Sequence, residues 1–231
     1  MKRLYWLLLL LILMLAACGG ATAEPIAESN ETVASNEVET AENAETITNS
    51  EAGFSITLPD NWTSVEPSAA AFAQIGDTVG QGEALAHLTD AYVQALLASG
   101  LEIYALNEDD ASLNSAVPVS IQIIRRDAPV SLTLAELVNE TAVQLESILD
   151  LTTNLEQAPV TLSGSEAIQL RYTMQAQTAV GGSAEVHNTQ YYLINNSALY
   201  IITIEMARGL VSDYLMEVET AVETFQLSSN E

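Results

Sequence analysis

Between residues 51 and 231 the apolar positions repeat with two periods, two residues in some stretches and three to four in others. GFSITLP at 53–59 puts Phe54, Ile56 and Leu58 on one side of an extended chain; Pro59-Asp60-Asn61 then signals a turn before a short strand opening at Trp62. Leu85, Leu88, Tyr92 and Leu96 predict a helix within 83–100, ended by Gly100. Strands are predicted at 101–106 and 117–127, flanking the acidic loop Asn107-Glu108-Asp109-Asp110. In 133–149, Thr133 and Glu136 have capping-box spacing, and Leu134, Leu137, Val138, Thr141, Leu145 and Ile148 form a buried stripe. Three further strands are expected at 155–162, 166–177 and 185–194. Ser163-Gly164 joins the first two as a hairpin, and a looser loop with Gly181-Gly182 joins the second two. After Asn195-Asn196-Ser197, the segment 198–207 is apolar on both faces, with Leu199 and Ile201 on one and Tyr200, Ile202 and Ile204 on the other. A strand covered on both sides is central in its sheet. The closing helix, 212–225, has the stripe Tyr214, Val218, Val222 and Phe225.

Consecutive hairpins require antiparallel pairing, and three helices beside a doubly buried strand imply cover on both sheet faces. The fold class expected is therefore α+β, an antiparallel sheet with helices packed on both faces. About 180 residues suit a single domain.

The first 50 residues follow neither period. Met1, Lys2 and Arg3 precede fourteen apolar residues, Leu4 to Ala17. A membrane-spanning helix needs about 20, so this run is too short to span. A basic start, a short apolar core and small residues at its end make a secretory signal. Its end, Leu15-Ala16-Ala17-Cys18, resembles the lipobox of bacterial lipoproteins. That resemblance implies acylation of the Cys18 thiol and removal of residues 1–17. The alternative is an ordinary secretory signal with an incidental cysteine. Cys18 is the chain's one cysteine, so an internal disulfide is excluded. Each buried acyl methylene contributes about 0.8 kcal/mol, so several chains hold a protein firmly to a membrane. From Gly19 to Ser50 the chain is mainly Ala, Glu, Thr, Ser and Asn, without aromatic or basic residues. Such a segment buries too little to offset its ordering entropy. It is expected to be an acidic tether reaching about 30 Å. The expected division is a signal over 1–17, a lipidated cysteine and tether over 18–50, and a folded domain over 51–231.

Charge narrows the partners. Six basic residues face 31 acidic ones, for a formal charge of −25. Without residues 1–17, four arginines remain and the charge is −27. Nucleic acid is excluded as a partner, because phosphate binding needs a basic footprint. An anionic membrane surface repels the chain as well, leaving the lipid as its membrane contact. The charge serves solubility, or attracts cations or a basic partner.

Candidate chemistry is sparse. His87 and His187, the two histidines, lack ligand-spaced partners, and no G-x-S-x-G, H-E-x-x-H or phosphate-binding glycine loop occurs. Glu108, Asp109 and Asp110 are the best metal candidates, since calcium takes several carboxylate oxygens, although the alternation of a calcium loop is missing. A solvated turn is the simpler account. Arg125-Arg126 marks a contact or pairs with local acids such as Asp127; Trp62 and Phe54 are assigned to the core. No catalytic residue and no cofactor is assigned.

The opening GFSITLPDNW resembles the start of PsbP-like domains, in which Gly-Phe, a branched aliphatic residue, a proline and a tryptophan recur in that order. VTLSGSEAIQLRYTM and YYLINNSALYIITIEMA resemble the family's hairpins, and AVETFQL its closing helix. The resemblance covers about 51–228 and implies an α/β/α sandwich around an antiparallel sheet. It also implies an accessory binding role, since familiar members are extrinsic photosystem II subunits and a nuclear import factor that binds a Ran-type GTPase. The segment from Pro67 to Gly100 is longer than the family's usual connection. The function expected is a lipid-anchored extracytoplasmic binding or accessory module without catalysis, with a protein partner. Alternatives are a cation- or small-ligand-binding lipoprotein, or an enzyme with an unrecognised site.

Overall fold

The computed structural model describes residues 44–78, 90–177 and 182–228. Seven antiparallel strands form the main sheet: β3 (Trp62–Val65), β4 (Leu101–Asn107), β5 (Ser120–Asp127), β6 (Glu156–Leu162), β7 (Ser165–Gln177), β8 (Ser183–Asn195) and β9 (Ala198–Ala207). Their order across the sheet is β3-β4-β5-β9-β8-β7-β6. β9 is thus the middle strand, as its two apolar faces predict. The β6–β7 and β8–β9 connections are two-residue turns, Ser163-Gly164 and Asn196-Ser197. All four residues have positive φ, the backbone a tight hairpin needs to match strand twist.

β1 (Glu45–Asn49), β2 (Phe54–Leu58) and β10 (Gln226–Leu227) form a second, three-stranded sheet with β2 at its centre. β1 corrects the expected tether boundary at residue 50. ETITN buries little by itself, Ile47 being only half-buried, and it becomes a strand by pairing register for register with β2. Context rather than composition decides such a segment.

Helices α1 (Ala69–Thr78), α2 (Asp90–Ala98) and α4 (Leu134–Ile148) cover one face of the main sheet; α3 (Asp110–Leu113) is one turn long. Helix α5 (Val211–Glu223) and the small sheet cover the other face. The expected helical cover is therefore present on both faces, shared on one of them with a sheet. The predicted helix over 83–100 is described only as α2; Leu85, Leu88 and His87 lie outside the described residues. Helix α1 was not expected.

On the α5 side Phe54 stacks on Phe225 at 5.4 Å, and Tyr200 meets Phe225 edge-on at 5.9 Å. The Tyr200 hydroxyl donates to the Ala52 carbonyl at 2.8 Å, tying β9 to the turn before β2. Trp62 is buried and its Nε1 donates to Glu217 at 3.2 Å. Phe54 and Trp62 are core residues, as assigned. Helix α4 starts with the predicted capping box: Thr133 Oγ1 accepts from Glu136 N, and Glu136 Oε2 accepts from Thr133 N. Its buried stripe is Leu137, Val138, Thr141, Ala142 and Leu145. Ile148, expected in that stripe, is exposed in the last turn, where the helix leaves the sheet. Gly100, after α2, has φ +89°, and a Cβ there would lie 2.3 Å from the Arg125 carbonyl oxygen.

Candidate functional site

Three strands interrupt their apolar pattern in the same way. β5 carries Ser120 and Gln122, β8 carries Asn188 and Gln190, and β9 carries Thr203 and Glu205. Each pair is spaced by two residues, so both members share a face. The register aligns the pairs. Ser120 lies opposite Glu205, and Glu205 opposite Asn188. Gln122 lies opposite Thr203, and Thr203 opposite Gln190. β7 extends the first row with Tyr172, opposite Asn188, and β4 extends the second with Tyr104, opposite Gln122. A polar patch thus crosses the centre of the sheet on the side that α2 and α4 cover.

The patch is incompletely bonded. Gln122 Nε2 donates to the Tyr92 hydroxyl of α2 at 3.2 Å and lies 3.5 Å from Glu205 Oε2. The Tyr192 hydroxyl donates to Gln190 Oε1 at 2.6 Å. Asn188 is fully buried, and neither its Nδ2 nor its Oδ1 has a hydrogen-bond partner. The Tyr172 hydroxyl is buried and unpartnered too. Tyr104 lies near Ser120 without a geometrically sound hydrogen bond. Each unmet buried polar group costs about 1–3 kcal/mol, so the patch is held at an energetic disadvantage by the hydrophobic layers around it.

Glu205 is the patch's ionisable centre. It keeps partial exposure, yet burial pushes its carboxyl up to about 7, offset in part by Gln122. The groups that feel its charge are the phenols of Tyr92, Tyr104 and Tyr172. All three are raised first by burial; that carboxylate comes second for Tyr92 and Tyr104, and for Tyr172 it follows the neighbouring Tyr192 phenol. A carboxylate ringed by phenols and amides can hold a proton, a cation or a hydrogen-bond donor.

A second polar cluster sits on the opposite face, under α5. Arg171 bonds Glu219 at 2.5 Å, Tyr191 donates to Glu219 at 3.4 Å, and Gln169 donates to Tyr191 at 2.9 Å. His187 is buried between Thr173 and Thr189, its Nδ1 3.5 Å from one hydroxyl and its Nε2 3.2 Å from the other. Burial first, then Arg171 and Arg208, lowers it to about 4, so it stays neutral at physiological pH. Its members bond mainly to one another, with only the Arg171 Nε left unpartnered, and the cluster reads as structural.

The residues singled out by sequence separate in space. Glu108 accepts from Thr63 Oγ1 of β3 at 2.5 Å. Asp109 opens α3, its backbone N–H donates to Asn107 Oδ1 at 3.0 Å, and its carboxylate lies by Tyr214 of α5, whose hydroxyl is raised by burial first and then by that charge. Asp110 is exposed in the first turn of α3. The loop is a capped turn, and among the described residues no three His, Cys, Asp or Glu side chains come together as a metal site requires. Arg125 is exposed, and Arg126 is partly buried beside Tyr192, with burial lowering its pKa. Cys18, Leu15, Ala16, Ala17 and His87 lie outside the described residues. Among the described residues no helix is long and apolar enough to cross a membrane. Glu205, Asn188 and Tyr172 were missed by the sequence reading. The available signal was the polar pair, spaced by two, inside each of three apolar strands.

No protein-family model matches the chain, and no curated protein sequence does. Solved structures do match. Cyanobacterial PsbP (CyanoP) from Synechocystis sp. PCC 6803 superposes with a TM-score of 0.52 at 12% identity, covering 84% of this chain and 98% of that one. LpqN of Mycobacterium tuberculosis, involved in cell envelope biogenesis, gives a TM-score of 0.48 at 11% identity, over 81% of this chain and 87% of that one. The Ran-binding protein Mog1p of Saccharomyces cerevisiae gives 0.43 at 11% identity, over 80% and 95%. The fold is PsbP-like, as the sequence resemblance implied.

Proposed function

We propose that the chain is a lipid-anchored, extracytoplasmic binding module without catalytic activity. The observation that carries this reading is Leu15-Ala16-Ala17-Cys18 at the end of a short apolar run behind Lys2 and Arg3. An acidic tether follows it, and β1 opens the folded unit at Glu45. A tether of some 26 residues reaches about 25–31 Å as a flexible coil, enough to clear lipid headgroups. The PsbP-like fold is compatible with an accessory role, but fold does not fix function, and the signal segment carries more of the argument. The partner is a protein or small ligand reached from the membrane surface; nucleic acid is excluded by the charge.

The test is the mass of the mature protein from native membranes, beside a Cys18→Ala variant. Acyl mass on the fragment that begins at Cys18, absent in the variant, is expected, together with loss of the variant from membranes. An unacylated chain cut elsewhere overturns the anchor. Crosslinking in the same membranes should recover a specific partner, and failure to recover one counts against a protein-binding role.

A second reading, a small-ligand-binding lipoprotein, is favoured by the unmet polar groups of the central sheet.

A further inference from the structure

The row Ser120, Glu205, Asn188, Tyr172 crosses four adjacent strands, β5, β9, β8 and β7, on one face. Neighbouring strands are about 4.8 Å apart, so these groups line a strip roughly 15 Å long. A sheet centre is the place where apolar packing is most rewarded, and three polar residues and a tyrosine stand there together. Asn188 offers a donor and an acceptor that the chain does not use, and Tyr172 offers a hydroxyl. Buried polar groups in folded proteins usually find partners, and the unused capacity here is open to one from outside the chain. Water is one such partner; Glu205 points to another.

Glu205 shares its sheet face with Tyr104 of β4 and Tyr172 of β7, its charge is felt by both and by Tyr92 of α2, and Gln122 is its hydrogen-bond neighbour. Those groups are phenols and an amide, and they leave an ionised carboxylate without a positive counterpart among the described residues that face it. The partner that satisfies this set is a cation with hydrogen-bonding groups of its own. A divalent metal draws on several carboxylate oxygens, and no such group of side chains forms among the described residues. An organic ammonium needs only one. Its charge sits on the carboxylate, aromatic rings around it favour a cation, and the chain's negative field raises the local concentration of cations. Glu205 is the partly exposed member of the row, and Asn188 beside it is fully buried.

We infer that this row binds a small organic amine in its protonated form, with the ammonium on Glu205 and the amine's hydroxyl or carbonyl groups on Asn188 and Tyr172. The inference deepens the small-ligand reading above and is independent of how the chain is anchored.

The test is calorimetric titration of the full mature chain in detergent at pH 8. The probes are ethanolamine and glucosamine, with ethylene glycol and glucose as their uncharged counterparts. Saturable binding of at least one amine is expected, with none by its uncharged counterpart. Because Glu205 gains its proton near 7, affinity should fall about tenfold between pH 8 and pH 6. Glu205→Gln should weaken binding at least tenfold, and Tyr172→Phe several-fold, with circular dichroism showing both variants folded. Flat titrations with both amines overturn the inference. So does equal binding of the uncharged compounds, or an affinity that Glu205→Gln leaves unchanged. A crystal grown with the amine and showing only water along the row overturns it as well. Flat titrations with an acylated Cys18 would defeat this site and leave the anchor standing; binding by an unacylated chain would do the reverse.

Discussion

Replacing Glu205 by glutamine should make the protein more stable at alkaline pH, the opposite of what losing a buried side-chain contact usually does. The carboxyl titrates at about 7 in the fold, because burial penalises its charge, and at 4.5 in an exposed chain. Between those values the folded state holds a proton that the unfolded state has released. This group's contribution to stability therefore falls as pH rises from 4.5 to 7 and is flat above 7. The gap is worth about 3 kcal/mol, at about 1.4 kcal/mol for each tenfold difference in proton affinity. Glutamine has nearly the same shape, keeps a hydrogen-bonding end for Gln122 and never ionises. Its advantage over wild type should grow by about 3 kcal/mol between pH 4 and pH 8. For a domain of this size that corresponds to roughly 6–12 °C in Tm. The other carboxylates titrate in both proteins and cancel in the difference. Urea unfolding of wild type and Glu205→Gln at pH 4, 5, 6, 7 and 8 measures it directly. A stability difference independent of pH would refute the reasoning, because it would mean that Glu205 is as well solvated in the fold as out of it.

Two further predictions concern packing. Gly100→Ala should destabilise by about 2 kcal/mol or more, since φ is +89° and the added Cβ would meet the Arg125 carbonyl oxygen at 2.3 Å; a Tm within a degree of wild type would contradict it. Phe225→Ala should cost about 3–5 kcal/mol, because its ring is fully buried against Phe54 and Tyr200, and denaturant titration at constant pH reads that loss.

The elements that could be seen in the sequence are those whose own residues carry the periodic signal. β2, β5, β7, β8 and β9 alternate or run apolar, and α4 and α5 repeat at helical spacing with a cap or a terminal aromatic. The elements that escaped depend on partners. β1 is ETITN, polar enough to pass for tether, and it is a strand because β2 offers it an edge. β10 is two residues long and exists because Phe225 has already fixed the chain beside β2. The acidic loop illustrates the reverse error of proximity: three adjacent carboxylates are directed to β3, to α5 and to solvent, so adjacency in sequence gave no shared site. The polar patch was hidden for a related reason. Its members come from residues 120, 122, 188, 190, 203 and 205, and only the strand order β5-β9-β8 brings them side by side.

That same strand pairing places a second titrating group back to back with the first. His187 precedes Asn188 on β8 and faces α5, whereas Glu205 faces α2. Burial lowers His187 to about 4 from 6.5 and raises Glu205 to about 7 from 4.5. Between pH 4.5 and 6.5 the unfolded chain binds the histidine's proton and the fold refuses it, so this group makes stability rise with pH. Over the same window Glu205 makes it fall. Each effect is worth about 3 kcal/mol across its range, so the two nearly cancel and neither shows in the wild-type profile. Single substitutions should expose them. His187→Gln leaves the glutamate unopposed and tilts stability downward with rising pH; Glu205→Gln leaves the histidine unopposed and tilts it upward. The double variant should parallel wild type again. Unfolding free energies for all four proteins at pH 4.5, 5.5 and 6.5 decide the matter. If both single variants keep the wild-type slope, the two faces of the sheet do not hold their protons as their burial requires. If only one tilts, the group whose substitution leaves the slope unchanged is better solvated than its surroundings imply.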